Sequence, residues 1–148
     1  MRYLPTILLL LSLSFSQIQH GGTPKYINHN QSNVNFLSTE SSEIINYDLH
    51  PMVKKYADEY SVDINFIEQA TKVVNLYETT FYLGIESSGA KALAFVFDEF
   101  NLTDNSKMFI LSHDYPMHIG AFNSKNNNPS GELSTAVVKG DKVVIELT

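Results

Sequence analysis

His113, Asp114 and His118 form the closest grouping of residues able to do chemistry in this 148-residue chain. Two imidazoles with a carboxylate beside one of them are the donors of a zinc site, or of a histidine oriented by an acid. A catalytic zinc needs a third protein ligand, however, and these residues fall in HDYP, where Asp114 suits a turn and Pro116 interrupts a ladder. A hairpin corner is the expectation. Asp98, Glu99 and Asp104 in DEFNLTDNS offer hard oxygen ligands of the calcium kind but lack the Asp-x-Asp-x-Asp-Gly spacing that pre-organises such a loop. They read as a solvated turn. His20, His29 and His50 lie too far apart in sequence to imply a site, and Asp58-Glu59 reads as surface charge.

Serines are plentiful, yet the chain has neither a Gly-x-Ser-x-Gly elbow nor a glycine-rich phosphate loop. With no cysteine, thiolate nucleophiles, thiolate metal sites and disulfides are excluded. The reading is therefore of a chain with no catalytic, cofactor-binding or metal residues, and not an enzyme in its own right.

Length leaves room for one domain with a single modest core. A composition of 43% hydrophobic, 11% aromatic and 18% charged residues is that of a folded globular protein rather than a disordered one. The formal charge is −6, and only Lys54 and Lys55 are adjacent among the basic residues. Binding to a phosphate backbone needs clustered cations, so nucleic acid is not an expected partner.

Residues 1–16 read as a secretory signal: Arg2 gives a positive start, the run from Leu4 to Phe15 is apolar, and Ser14 and Ser16 are small residues before a cut at Gln17. About a dozen apolar residues fall short of the roughly 20 that a spanning helix needs. The mature chain is expected to be secreted, periplasmic or at the cell surface, without a stable membrane span. Export without disulfides points to a bacterial source more than to a small eukaryotic secreted module.

Residues 17–42, rich in Asn, Ser, Gly, Thr and Gln, read as an extended polar arm with little packing. Within the lead-in at 43–75, HPMVKKYADEY is consistent with a short helix after Pro51, carrying Met52, Val53, Tyr56 and Tyr60 on one side, or with an irregular segment. From residue 76 onward, short apolar runs alternate with turn material at the spacing of an antiparallel β-sandwich, jelly-roll-like in outline. Leu76 to Ser87 opens this part, with Tyr77, Thr79, Phe81, Leu83 and Ile85 toward the core and Glu78, Thr80, Tyr82, Gly84 and Glu86 toward water. Leu93, Phe95 and Phe97 form the next inward set. Strands at 107–112 and 117–122 follow. The run at 123–131, with Pro129-Ser130-Gly131, reads as an exposed, mobile loop. Strands at 132–138 and 142–147 close the domain as a pair around Lys139-Gly140-Asp141. Asn30-Gln31-Ser32 and Asn101-Leu102-Thr103 match the glycosylation triplet, relevant only in a host that modifies it.

The block from Ser87 to Glu146 resembles the region that precedes the catalytic domain in secreted bacterial trypsin-like serine peptidases of the lysyl endopeptidase type. The matching parts are the Ser-x-Gly-Ala entry at Ser87, the aromatic strand and F-x-L turn at Phe97 to Leu102, and Gly120-Ala121-Phe122. Asn-Asn before Gly-Glu-Leu-x-Thr at Gly131 to Thr135 and Val-x-Gly-Asp-x-x-x-x-Glu at Val138 to Glu146 continue them in order, with Ser134 where the pattern commonly has tryptophan. Residues 17–24 are more weakly similar to the mature start of such proteins. The resemblance implies a β-sandwich pro-region or accessory domain whose parent's triad lies downstream, so no catalytic residue carries over. On that footing the expected partner is a downstream or separate peptidase domain, and the chain is either a fragment or a stand-alone relative. The alternative is an extracellular module that binds glycan or protein, with Tyr77, Tyr82 and Tyr115 as stacking platforms.

Overall fold

A computed structural model describes residues 18–26, 33–40, 42–45 and 56–148. The expected leader, His29, His50, the triplet at Asn30 and the start of the helix after Pro51 lie outside the described residues. In chain order the elements are β1 (Asn35–Ser38), β2 (Glu43–Ile44), β3 (Tyr60–Ser61), α1 (Phe66–Gln69), β4 (Thr71–Val74), β5 (Thr79–Glu86), β6 (Ala92–Leu93) and β7 (Val96–Phe97). They continue with β8 (Met108–Ser112), β9 (His118–Phe122), a 3-10 turn (Ser124–Asn126), β10 (Leu133–Ser134), β11 (Val138–Lys139) and β12 (Lys142–Leu147). Among the described residues the protein is mainly β, with several antiparallel sheets and one short helix. That helix falls at Phe66–Gln69, and residues 56–59, in the segment read as either a short helix or irregular, are irregular.

The principal sheet has the order β1, β5, β12, β8, β9, with β4 joining β5 further along the same side. Every pairing in it is antiparallel except that of β1 with β5, which is parallel. Register explains its first face. Leu83 lies opposite Ile145, Ile145 opposite Ile110, and Ile110 opposite Ile119, so one row of branched side chains crosses four strands. Period-two alternation then puts Ile85, Val143 and Met108 on that face, a register shift at Met108/Phe109 brings Phe122 onto it as well, and all are buried. At about 1.5–3 kcal/mol for each large side chain removed from water, this row is a main source of stability.

The segments carrying β6, β7, β10 and β11 cover this face. Two short ladders join them, Leu133 opposite Phe97 and Val138 opposite Leu93, and they bring in buried Phe100, Leu133 and Val138. Leu93, Phe95 and Phe97 pack on the core half-buried, as an inward set should, with the Phe95 and Phe97 rings 6.1 Å apart.

Three expectations need correction. Strands 132–138 and 142–147 do not pair with one another: the first divides into β10 and β11 on the covering layer, while β12 lies between β5 and β8. The reason is burial, since Val143, Val144, Ile145 and Glu146 are buried in succession and such a strand needs neighbours on both edges. Next, Thr80, Tyr82 and Gly84 do not face water; they are buried on the second face. Lastly, the run at 123–131 is neither irregular throughout nor loose. Asn123 caps the 3-10 turn, Asn126 is buried, and Asn127 Oδ1 accepts from the Leu102 N–H at 2.9 Å.

Candidate functional site

The second face of the sheet is where polar groups converge. Alternation along β12 turns Glu146 away from the apolar row, and at 1% exposure it is one of the most deeply buried side chains of the protein. A carboxylate there is costly unless hydrogen-bonded. Two successive backbone amides meet it: the Lys25 N–H donates to Oε1 at 2.9 Å and the Tyr26 N–H donates to Oε2 at 2.7 Å. Both oxygens are thereby engaged by the N-terminal arm.

The expectation of an arm with little packing is overturned in its described parts. Before reaching Glu146 the arm crosses the β9 edge, where the His20 N–H donates to Ala121 O at 2.9 Å and the Ala121 N–H donates to Gly21 O at 3.4 Å. Gln19 Oε1 accepts from the Gly120 N–H at 3.2 Å, and Asn126 Nδ2 donates to Ile18 O at 2.9 Å. Pro24 is fully buried. Beyond residues 27–32, β1 lays Phe36 over Gly84, where a Cβ would overlap the ring. Backbone amides and a few scattered side chains, Pro24, Tyr26, Phe36 and Leu37, do this packing, too sparse a set to show as an apolar pattern.

His113 belongs to the same face. Its Nδ1 lies 3.2 Å from the Tyr26 hydroxyl, and the Phe36 ring meets it edge-on at 5.4 Å between centroids. His118, opposite Leu111 on β9, is on this face too, with its ring 6.1 Å from that of Phe109. The structure thus gives the two histidines different aromatic neighbours. Asp98, Glu99 and Asp104 are exposed, and among the described residues no group of three or more His, Asp or Glu is placed to hold a metal ion.

Tyr82 packs 5.9 Å from Tyr26, and burial, then the charge of Glu146, pushes its phenol up to about 12. Burial also raises Tyr26. At the sheet margin, Lys142 Nζ meets Glu86 at 3.1 Å, which raises the lysine pKa. Lys25 Nζ meets Glu78 at 2.5 Å, and that hydrogen bond, with a second from Asn75, lowers the Glu78 pKa. Lys25 and Glu78 border a cleft of about 220 Å³ lined also by Gly22, Lys107 and Glu146. Chemically, a carboxylate whose two oxygens each accept an N–H is arranged to hold a strand in place rather than to move a proton.

Of the three proposed stacking tyrosines, Tyr82 is 2% exposed and closed to a ligand. Tyr115 is 42% exposed, with Lys139 Nζ over its ring at 4.2 Å. Tyr77 stands free at 93%, beside Leu76 at 94%, at the turn between β4 and β5. Expectation had placed Leu76 to Glu78 in a strand. Asn75 instead closes a turn, its Oδ1 accepting from the Tyr77 N–H at 2.9 Å and the Glu78 N–H at 3.0 Å. An asparagine just ahead of the apparent alternation was the available signal.

Among the described residues no helix is long and apolar enough to cross a membrane. No family model matches the chain, and searches of curated proteins and of solved structures found no similar protein.

Proposed function

We propose that this chain is a secreted, non-catalytic accessory domain that acts on a trypsin-like peptidase domain, aiding its folding or holding it latent. The observation that carries the non-catalytic reading is the use of Glu146. The buried carboxylate best placed for acid–base work is occupied at both oxygens by the backbone of its own arm. His113, the other candidate, is engaged by Tyr26 and Phe36. The ordered resemblance from Ser87 to Glu146 supplies the class of partner.

Two measurements test this. Added in equal amount to a refolding peptidase of the lysyl endopeptidase type, the chain is expected to raise the yield of active enzyme or to suppress its activity. No effect on either would remove the accessory role. The purified chain alone is expected to leave a lysine-specific peptide substrate intact, and hydrolysis above background would overturn the non-catalytic reading. Tyr77, standing free, favours a second reading as a glycan-binding module, but with Tyr82 buried the platform of three rings is incomplete. A glycan array returning no ligand would retire that reading.

A further inference from the structure

The turn between β4 and β5 presents two large side chains to solvent on a braced support. Leu76 and Tyr77 are its central residues, and Val74 just before them is 65% exposed. The Asn75 N–H donates to Glu78 O at 3.0 Å, and the Asn75 side chain accepts from the Tyr77 and Glu78 amides. Glu78 is tied to Lys25 of the arm. Turn centres are ordinarily filled by Gly, Asn, Asp or Pro, for which an apolar pair brings no local advantage. Exposed apolar groups on a rigid support mark a contact surface, because their ordering is complete before contact.

We propose that this turn is a lipid-surface anchor, with Leu76 and Tyr77 entering the interfacial layer of a bilayer whose headgroups carry no net charge. Shape and area favour lipid over protein. A stable protein interface buries about 800 Å² on each partner, whereas even a large aromatic side chain supplies only roughly 150–250 Å². Three side chains at a convex tip fall short against a flat partner. A bilayer closes round such a tip from all sides and needs no matching pocket. Tyrosine, apolar in its ring and polar at its hydroxyl, is also a residue of the membrane–water interface.

Charge selects the lipid. The protein carries −6 overall; near the turn Lys25 is paired with Glu78, and Lys72, over the Phe81 ring at 5.8 Å, and Lys107, in the cleft with Glu78, keep their charges, three lysines against the roughly four to eight of a site for anionic headgroups. The basic cluster that anionic headgroups require is missing from this set. Two inserting side chains place the affinity in the reversible range of a single acyl chain, about 10⁴ M⁻¹ or below. The inference is independent of the accessory-domain reading, and either stands if the other fails.

The chain contains no tryptophan, so Tyr77→Trp creates a sole reporter at the tip. Its emission is expected to shift to the blue with phosphatidylcholine vesicles and to be quenched by brominated phosphatidylcholine. Tyr115→Trp, at the opposite end of the sheet by register, serves as control and is expected to change little. Adding Leu76→Ser to the Y77W chain should weaken vesicle binding by roughly tenfold or more. Anionic phosphatidylglycerol should not strengthen it. The proposal is overturned if Y77W is insensitive to phosphatidylcholine, if it responds only to anionic vesicles, or if Y115W responds equally. It is likewise overturned if a peptidase shields Y77W while vesicles do not, which would assign the tip to a protein surface.

Discussion

The two faces of the principal sheet are built on different principles. On the first, Leu83, Ile145, Ile110 and Ile119 line up by strand register and are covered by apolar residues from the short ladders. On the second, Tyr82, Gly84 and Glu146 are just as deeply buried, but what covers them is the arm, held by amides donating to a carboxylate and by Phe36 over a glycine. The contrast teaches that one sheet can be closed by a large apolar core on one side and, on the other, by a smaller apolar cluster of Phe109, Leu111 and Ala121 together with directional bonds. The first side tolerates conservative change; the second depends on particular atoms.

Substitutions of decreasing severity separate the two. Ile110→Ala removes a fully buried side chain at the centre of the apolar row and is expected to lower unfolding stability by about 2–5 kcal/mol, read by denaturant titration. Glu146→Ala leaves the Lys25 and Tyr26 amides without their acceptor and should cost about 1–3 kcal/mol. Its distinguishing sign is early protease cleavage within residues 18–26 while the sheet resists; uniform loss of protection would mean the faces are not separable. Gly84→Ala forces Phe36 off its seat and should cost about 1–3 kcal/mol, with faster hydrogen exchange in β1 than in β12. Tyr26→Phe loses only the hydroxyl contact with His113, for about 0.5 kcal/mol.

Alkaline titration sharpens the same comparison. The Tyr82 pKa is raised to about 12 from an ordinary value near 10. The folded state therefore keeps this proton after the unfolded chain has released it. The resulting stability is whole below pH 10 and is lost as pH rises from about 10 to about 12. Tyr82→Phe should flatten that part of the curve, and an unchanged slope would show that the second face is open to water.

How much was legible in the sequence follows from the same division. The first face could be read because Leu83 and Ile85 on β5 announce their direction by alternation. So could the β character of the chain and the corner at HDYP. The partner of β12 could not, since both its faces are buried and alternation no longer distinguishes an edge from a centre. The arm was illegible for a different reason: its contacts are mostly main-chain amides, which every residue but proline possesses. Asn126 was misread because asparagine in a polar run signals exposure, whereas here it caps a turn and reaches Ile18 O. In the candidate site, His113 was singled out for its chemistry, yet nothing in the spacing linked it to Tyr26 or Phe36.

The grip of Glu146 on Lys25 also orders events in time. Donor and acceptor are 121 positions apart, so the arm precedes β12 in synthesis and cannot be fastened to it until the residues between them have followed. Closing so long a loop is entropically late as well as chronologically late. Until β12 is in place, the Lys25 and Tyr26 amides lack their acceptor.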